Sequence, residues 1–134
     1  MSNQVRKHGE KREDGKVYWG RKTNGSEEWT THEKFLDRKL KSKQRVTKLR
    51  KARKRWLNIY KVAKGCEICG YNAHPSGLEF DHLPQYQKWK DISSIVDYSL
   101  KNLINEIRKC RVLCAICHRI FTDEQRNKKN TDGV

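Results

Sequence analysis

Two Cys-x-x-Cys motifs, at residues 66–69 and 114–117, constrain this chain more than any other feature. Four thiolates in two such pairs suit tetrahedral zinc, and four protein ligands leave no open position for a substrate. Because 44 residues separate the two motifs, one ion would join the beginning of a domain to its end. The motifs therefore predict a structural zinc bound by Cys66, Cys69, Cys114 and Cys117. The fifth cysteine, Cys110, is expected to be a small buried apolar residue.

The composition indicates that such a metal is needed for folding. Only 34% of the 134 residues are hydrophobic and 35% are charged, so the apolar core is small and zinc binding would supply much of the folding free energy. Disulfides fit less well, since the chain has an odd five cysteines and no apolar signal segment. No apolar run approaches the roughly 18 residues that cross a bilayer. We expect a cytoplasmic protein without a membrane partner.

The formal net charge of +15 predicts an acidic polymer as partner. Residues 34–64 hold 14 Lys or Arg and one acid, Asp37, and so dense a run of like charges favours nucleic acid, most simply double-stranded DNA. A membrane surface or a nuclear-import signal is the alternative. The predicted DNA-binding residues are Lys48, Arg50, Lys51, Arg53, Lys54, Arg55 and, in the last helix, Arg119.

The first half of the chain predicts a hairpin and a long helix. Residues 1–14 have no periodicity and indicate a flexible lead-in, whereas 17–19 and 28–30 favour strands around a two-residue Asn24-Gly25 turn, which would set Trp29 opposite Gly20. Thr30 and Glu33 have the spacing of a capping box, and Gly65 is a stop signal. Between the capping box and Gly65 we expect one helix, or two helices with a break near 42–44. Its predicted packing stripe comprises Phe35, Leu36, Leu40, Leu49, Ala52, Trp56, Ile59, Tyr60 and Ala63.

The second half predicts a domain from 65 to 127, followed by a polar tail at 128–134. Residues 78–82 favour a strand that ends before Pro84, and 85–97 indicate a loop. Ser99 or Asp97 can cap a helix with one apolar stripe, 111–113 favour a short strand, and 115–127 a closing helix. The expected class is α+β, with residues 15–64 forming a hairpin plus basic helical extension.

Three polar residues lie beside the predicted zinc ligands. Asp81 and His82 close a strand, and His118 follows Cys117 directly. A divalent ion with few protein ligands can stabilise a leaving alkoxide, and a neutral histidine can deprotonate water. Magnesium or manganese would accept one carboxylate and one imidazole with open positions left over.

Taken together, Cys66-x-x-Cys69, Asp81-His82 and Cys114-x-x-Cys117-His118 resemble the HNH endonuclease family, whose ββα-metal motif surrounds one catalytic divalent ion. The resemblance covers residues 64–125. It implies that His82 activates water, that Asp81 and His118 hold magnesium or manganese, and that the four cysteines hold zinc. The hairpin and basic helix are similar to leaders of phage-encoded HNH proteins, which implies a host cytoplasm.

One position departs from the family pattern. The family's central Asn usually lies five residues before the third cysteine, where this chain has Lys109. By the resemblance, that Asn braces the motif loop or completes the metal shell. The sequence therefore carries two hypotheses, a metal-dependent DNA endonuclease and a non-catalytic, zinc-stabilised nucleic-acid-binding regulator.

Overall fold

The computed structural model describes residues 5–131 and has an α+β fold. Within that range it contains three α-helices and two separate two-stranded sheets. The chain divides into two compact units, the first ending at Lys48 and the second beginning at Leu49. The boundary predicted between 64 and 65 therefore differs from the observed one, because the second half of the long helix packs with the cysteine-containing unit. Residues 1–4 of the predicted lead-in and 132–134 of the predicted tail lie outside the described residues.

The first unit contains the hairpin, formed by β1 (Val17–Arg21) and β2 (Glu27–Thr30). Its turn is longer than predicted, since Lys22 N donates to Ser26 O at 2.8 Å. The predicted pairing of Trp29 with Gly20 is wrong: Trp29 pairs with Tyr18, and the register shifts between Tyr18 and Gly20. A bulge that leaves Trp19 unpaired absorbs the extra residue.

The segment before the hairpin is hydrogen-bonded to β1. Gly9 N donates to Tyr18 O at 3.0 Å, and Tyr18 N donates to Glu10 O at 2.8 Å. The ring of His8 lies 4.9 Å from that of Trp19 and 5.0 Å from that of Phe35. Part of the predicted lead-in is therefore ordered by aromatic packing, which an aperiodic sequence did not indicate.

Helix α1 is one uninterrupted helix, His32–Lys64. Its N-cap is Thr31, whose Oγ1 accepts from Lys34 N at 3.4 Å; Thr30, the predicted cap, is a buried residue of β2. Gly65 ends the helix as predicted, with a φ of 66° that favours glycine.

The predicted packing stripe of α1 is largely wrong. Leu57 is buried and Tyr60 packs partly against the core, whereas Trp56 and Ile59 are exposed. Of the predicted apolar residues in the first unit, Phe35 is buried and Leu36 and Leu40 are exposed. Basic residues are spread along α1. The spacing of the apolar residues alone therefore did not identify the face of the helix that packs.

The second unit is built on β3 (Leu78–His82) and β4 (Cys110–Cys114), which pair antiparallel with Asp81 opposite Arg111. Helix α2 (Leu100–Ile107) is capped by Ser99, one of the two predicted caps. Helix α3 (Ala115–Thr131) packs on both strands and continues through residues 128–131, which were predicted as tail. Short 3-10 turns lie at Pro75–Gly77 and Ile92–Ser94.

The core of this unit fills the space between α1, α2 and the sheet. Leu57 meets Ile95, Val96, Leu103 and Ile107 in one buried cluster, and a second cluster joins apolar strand residues to Cys66 and Cys114. No described helix has the length and apolar character required to cross a membrane.

Candidate metal centre and polar cluster

The two Cys-x-x-Cys motifs meet in space. The first motif follows α1 and lies beside the end of β4, where the second motif begins. The four sulfur atoms all lie within 4.8 Å of one another. The Cys69 and Cys114 sulfurs are 3.7 Å apart. A tetrahedron with metal–sulfur bonds of about 2.3 Å has sulfurs about 3.8 Å apart. The cysteines therefore form a group positioned to bind a metal such as zinc.

The pKa values of Cys66 and Cys117 are shifted in opposite directions within this group. Burial acts to raise the pKa of Cys66, but backbone N–H groups of Cys69, Cys114 and Ile68 lower it to about 6. Contact with the neighbouring sulfurs, first of all Cys114, raises the pKa of Cys117 to about 12. Four thiolates this close repel one another, so all four can be deprotonated together only when a positive ion compensates.

Asp81 and His118 meet on the face of the sheet that carries α3. His118 lies in the first turn of α3, and its Nε2 is 3.4 Å from Asp81 Oδ1. Its Nδ1 is 2.6 Å from Glu79 Oε2. An ionised carboxylate only accepts hydrogen bonds, so Nδ1 is the protonated nitrogen in this contact. In the neutral ring the Nε2 lone pair is then left towards Asp81.

Arg111 holds the other oxygen of Asp81. Its Nε donates to Asp81 Oδ2 at 2.8 Å, and its guanidinium carbon lies 4.1 Å from the centre of the Phe121 ring. Nη2 of Arg111 is the one buried side-chain polar atom without a partner among the described residues. Stacking on Phe121 offsets part of that cost. Arg111 thereby fixes Asp81 and leaves Oδ1 on the side of His118.

His82 contacts a different helix from its neighbour Asp81. Consecutive strand residues alternate faces, and His82 Nε2 lies 2.9 Å from Oε1 of Glu106 in α2. Glu106 is 1% exposed. Burial acts to raise its pKa, but hydrogen bonds from Lys109, the Trp89 backbone and His82 lower that pKa to about 2. The structure thus brings Asp81 and His118 together and sets His82 against Glu106.

Lys109, at the position that departs from the family pattern, belongs to the same network. Its Nζ donates to Glu106 Oε2 at 2.9 Å and to Gln87 O at 3.1 Å. Its carbonyl accepts from Leu83 N at 2.9 Å. Lys109 therefore ties the segment after β3 to the end of α2.

The predicted DNA-binding residues of the second unit fall into two groups. Arg53 donates to the carbonyls of Val96 and Tyr98, and Arg50 pairs with Asp97 at 2.9 Å, so these two have structural partners. The second group consists of Lys51, Lys54 and Arg55. All three are exposed, and their side chains make no hydrogen bond or ion pair with the described residues. Lys48, in the first unit, is likewise exposed.

A polar cavity of about 400 Å³ opens beside His118. Its polar lining comprises Glu79, Arg119, Thr122, Asp123 and Arg126. Arg119, a predicted DNA-binding residue, thus lines the same cavity as His118, its neighbour in the chain. Arg126 pairs with Asp123 at 3.9 Å, so Arg119 is the guanidinium of this lining that is left to meet an anionic group of a ligand.

Glu79, Arg111 and Glu106 were not identified from the sequence. Glu79 precedes Asp81 by two positions, so strand alternation was a signal that could have found it. Arg111 and Glu106 had no comparable signal, because their partners lie 30 and 24 residues away.

Comparisons with protein-family models, with curated proteins and with solved structures found no match to this chain.

Proposed function

We propose that this protein is a divalent-metal-dependent endonuclease of the HNH type that hydrolyses DNA phosphodiester bonds. The observation that carries the proposal is the convergence of Asp81 Oδ1 and His118 Nε2, 3.4 Å apart, on two strands and a helix that begins at the cysteine group. Each of these two side chains is held through its other polar atom, Asp81 Oδ2 by Arg111 and His118 Nδ1 by Glu79, as metal ligands commonly are.

The cysteine group is proposed to hold zinc as a scaffold. All four ligands are thiolates, which zinc accepts in closed structural sites. Asp81 and His118 would hold magnesium or manganese, which needs few protein ligands and keeps positions for water and phosphate oxygens. Bound there, such an ion stabilises negative charge on the phosphate and on the departing oxygen.

The remaining roles are assigned to His82, which follows Asp81 in the chain, and to residues in contact with the Asp81–His118 pair. His82 is proposed to accept the proton of the attacking water. Glu79 fixes the His118 tautomer, and Arg111 fixes Asp81. The DNA backbone would lie along the exposed basic residues of α1, with Arg119 beside the scissile phosphate. Contacts of this kind position DNA without reading its sequence.

A plasmid-cutting assay tests this function. Zinc-loaded wild type should convert supercoiled plasmid to nicked or linear DNA when magnesium or manganese is added and should not do so in EDTA. Asp81→Ala and His118→Ala should lose cutting at low metal, and His82→Ala should lose about 100-fold or more in rate. His32→Ala, an exposed histidine of α1, is the matched control.

Two outcomes would redirect the assignment. Salt-sensitive DNA binding by wild type with intact plasmid under every metal condition would indicate the non-catalytic regulator. Equal cutting by wild type and His82→Ala would retain a nuclease but remove His82 from the role of base.

A further inference from the structure

The network of Glu106 and Lys109 has no assigned role in the proposed reaction. A buried carboxylate in a small core is costly unless its oxygens are hydrogen-bonded. Glu106 lies on the same helix face as Leu103 and Ile107, all buried, and an apolar residue there would pack without that cost. Its two oxygens instead accept from His82, from Lys109 and from Trp89 N at 2.9 Å.

We propose that Glu106 and Lys109 are positioning residues that set the tautomer and orientation of His82 and brace the segment after β3. This inference rests on the proposed nuclease function, in which His82 is the base. It assigns Lys109 the bracing role that the family resemblance gives to Asn.

The hydrogen-bond chemistry selects one tautomer of His82. The Glu106 carboxylate has only acceptors, so the ring nitrogen it meets, Nε2, carries the proton. In the neutral ring Nδ1 then has the lone pair. Nδ1 has no hydrogen-bond partner among the described residues, and it is not one of their buried unpaired atoms. The His82 side chain is 13% exposed, and Nδ1 is the ring nitrogen left to accept a proton from water.

Lys109 completes the arrangement in two ways. Its ammonium group neutralises Glu106 and holds Oε2, which leaves Oε1 for His82. Its second hydrogen bond, to Gln87 O, fixes the segment that also supplies Trp89 N to Oε1. Movement of that segment would therefore displace the ring of His82 through Glu106.

Replacing Glu106 by Gln gives a defined expectation. A carboxamide has one oxygen and one NH₂ group. Three donors surround it, and the oxygen is drawn to the charged Lys109 ammonium, which makes the strongest bond, at the expense of the bond from Trp89 N. The NH₂ group is then left towards His82, where it can donate only to an unprotonated Nε2. Glu106→Gln should therefore shift His82 towards the Nδ1–H tautomer and remove the acceptor for water.

Two measurements on the zinc-loaded full chain test this. Two-bond ¹H–¹⁵N NMR correlations, recorded over a pH series up to the neutral form of the ring, should report the Nε2–H tautomer of His82 in wild type and in the control Glu13→Gln. They should report the Nδ1–H form in Glu106→Gln. The His82 signals are assigned by their loss in His82→Ala.

Cutting rates form the second measurement. Glu106→Gln should lower the single-turnover rate about 10- to 100-fold with little change in the DNA concentration for half-maximal rate. In a His82→Ala background it should have no further effect, because Glu106 acts through that ring. Lys109→Gln should lower the rate less. Lys101→Gln should leave it unchanged, because Lys101 is an exposed lysine of α2.

The possible failures are distinguishable. A cutting wild type whose His82 keeps the Nε2–H tautomer in Glu106→Gln, or rate losses that multiply in the double variant, would overturn this inference alone. A wild type that cuts no DNA under any metal condition would overturn the nuclease and this positioning role with it.

Discussion

At the scale of single residues, each candidate site side chain is held by a partner from elsewhere in the chain. Glu79 holds His118, Arg111 holds Asp81, and Glu106 holds His82. Such contacts fix a ring or a carboxylate before any ligand arrives, which lowers the entropy lost on binding. The order of Asp81 and His82 in the sequence specified none of these partners.

Glu79 provides the residue-scale prediction. Glu79→Ala removes the acceptor for Nδ1 of His118, so the ring can take either tautomer and orientation. The magnesium or manganese concentration for half-maximal cutting should rise about 10- to 100-fold, with a smaller rise for Glu79→Gln, which keeps an acceptor oxygen. Plasmid-cutting rates measured over a series of magnesium or manganese concentrations give this half-maximal concentration.

The matched control is Glu124→Ala, an exposed glutamate of α3. An unchanged metal requirement in Glu79→Ala would remove Glu79 from the support of the proposed ion site.

At the scale of elements, the basic helix and the short strands were predicted from sequence with unequal success. The predicted helix end at Gly65 and the predicted β3 strand were confirmed. Both rest on local signals, a glycine that stops a helix and a proline that follows a strand. The hairpin register and the packed face of α1 were wrong. A bulge at Trp19 changed the hairpin register. The packed face of α1 was decided by contacts of Leu57 with residues 35 or more positions away in the chain.

The division of basic residues on α1 leads to an element-scale prediction. Gln at Lys51, Lys54 and Arg55 together should weaken DNA binding and lower the slope of log K against log salt by about 0.9 for each phosphate that the variant no longer neutralises. Fluorescence anisotropy with duplex DNA across a salt series measures both quantities.

A triple Gln variant at Lys7, Lys11 and Lys22, exposed lysines of the first unit, controls for net charge. Equal salt slopes in the two triple variants would show that charge alone, and no particular face of α1, accounts for binding. Arg53→Gln should instead lower the melting temperature, because Arg53 donates to two backbone carbonyls.

At the scale of the whole molecule, the cysteine group joins the segment after α1 to the junction of β4 and α3. Cys66 follows α1, and Cys114 ends β4 and precedes α3. Few large apolar residues are fully buried, so metal binding is expected to supply much of the folding free energy of this unit.

Metal removal gives the whole-molecule prediction. A strong chelator, or Cys114→Ser, should unfold the second unit, with loss of helical circular dichroism that added zinc restores for wild type only. Cobalt substitution should produce thiolate-to-cobalt charge-transfer absorption. Cys110→Ala should keep the metal, since Cys110 donates to Glu106 O and lies outside the group. A wild type that retains its fold and binds no metal would contradict the scaffold role.

The sequence by itself determined the cysteine group positioned for a metal, the α+β class and the basic character of α1. These follow from local spacing and from chemistry that few residue types can perform. The tertiary structure decided which partner holds each side chain, which face of α1 packs, and that His82 meets Glu106 while Asp81 meets His118. Those choices depend on strand pairing and helix packing between residues far apart in the chain, where a change of one register position moves a side chain to the opposite face.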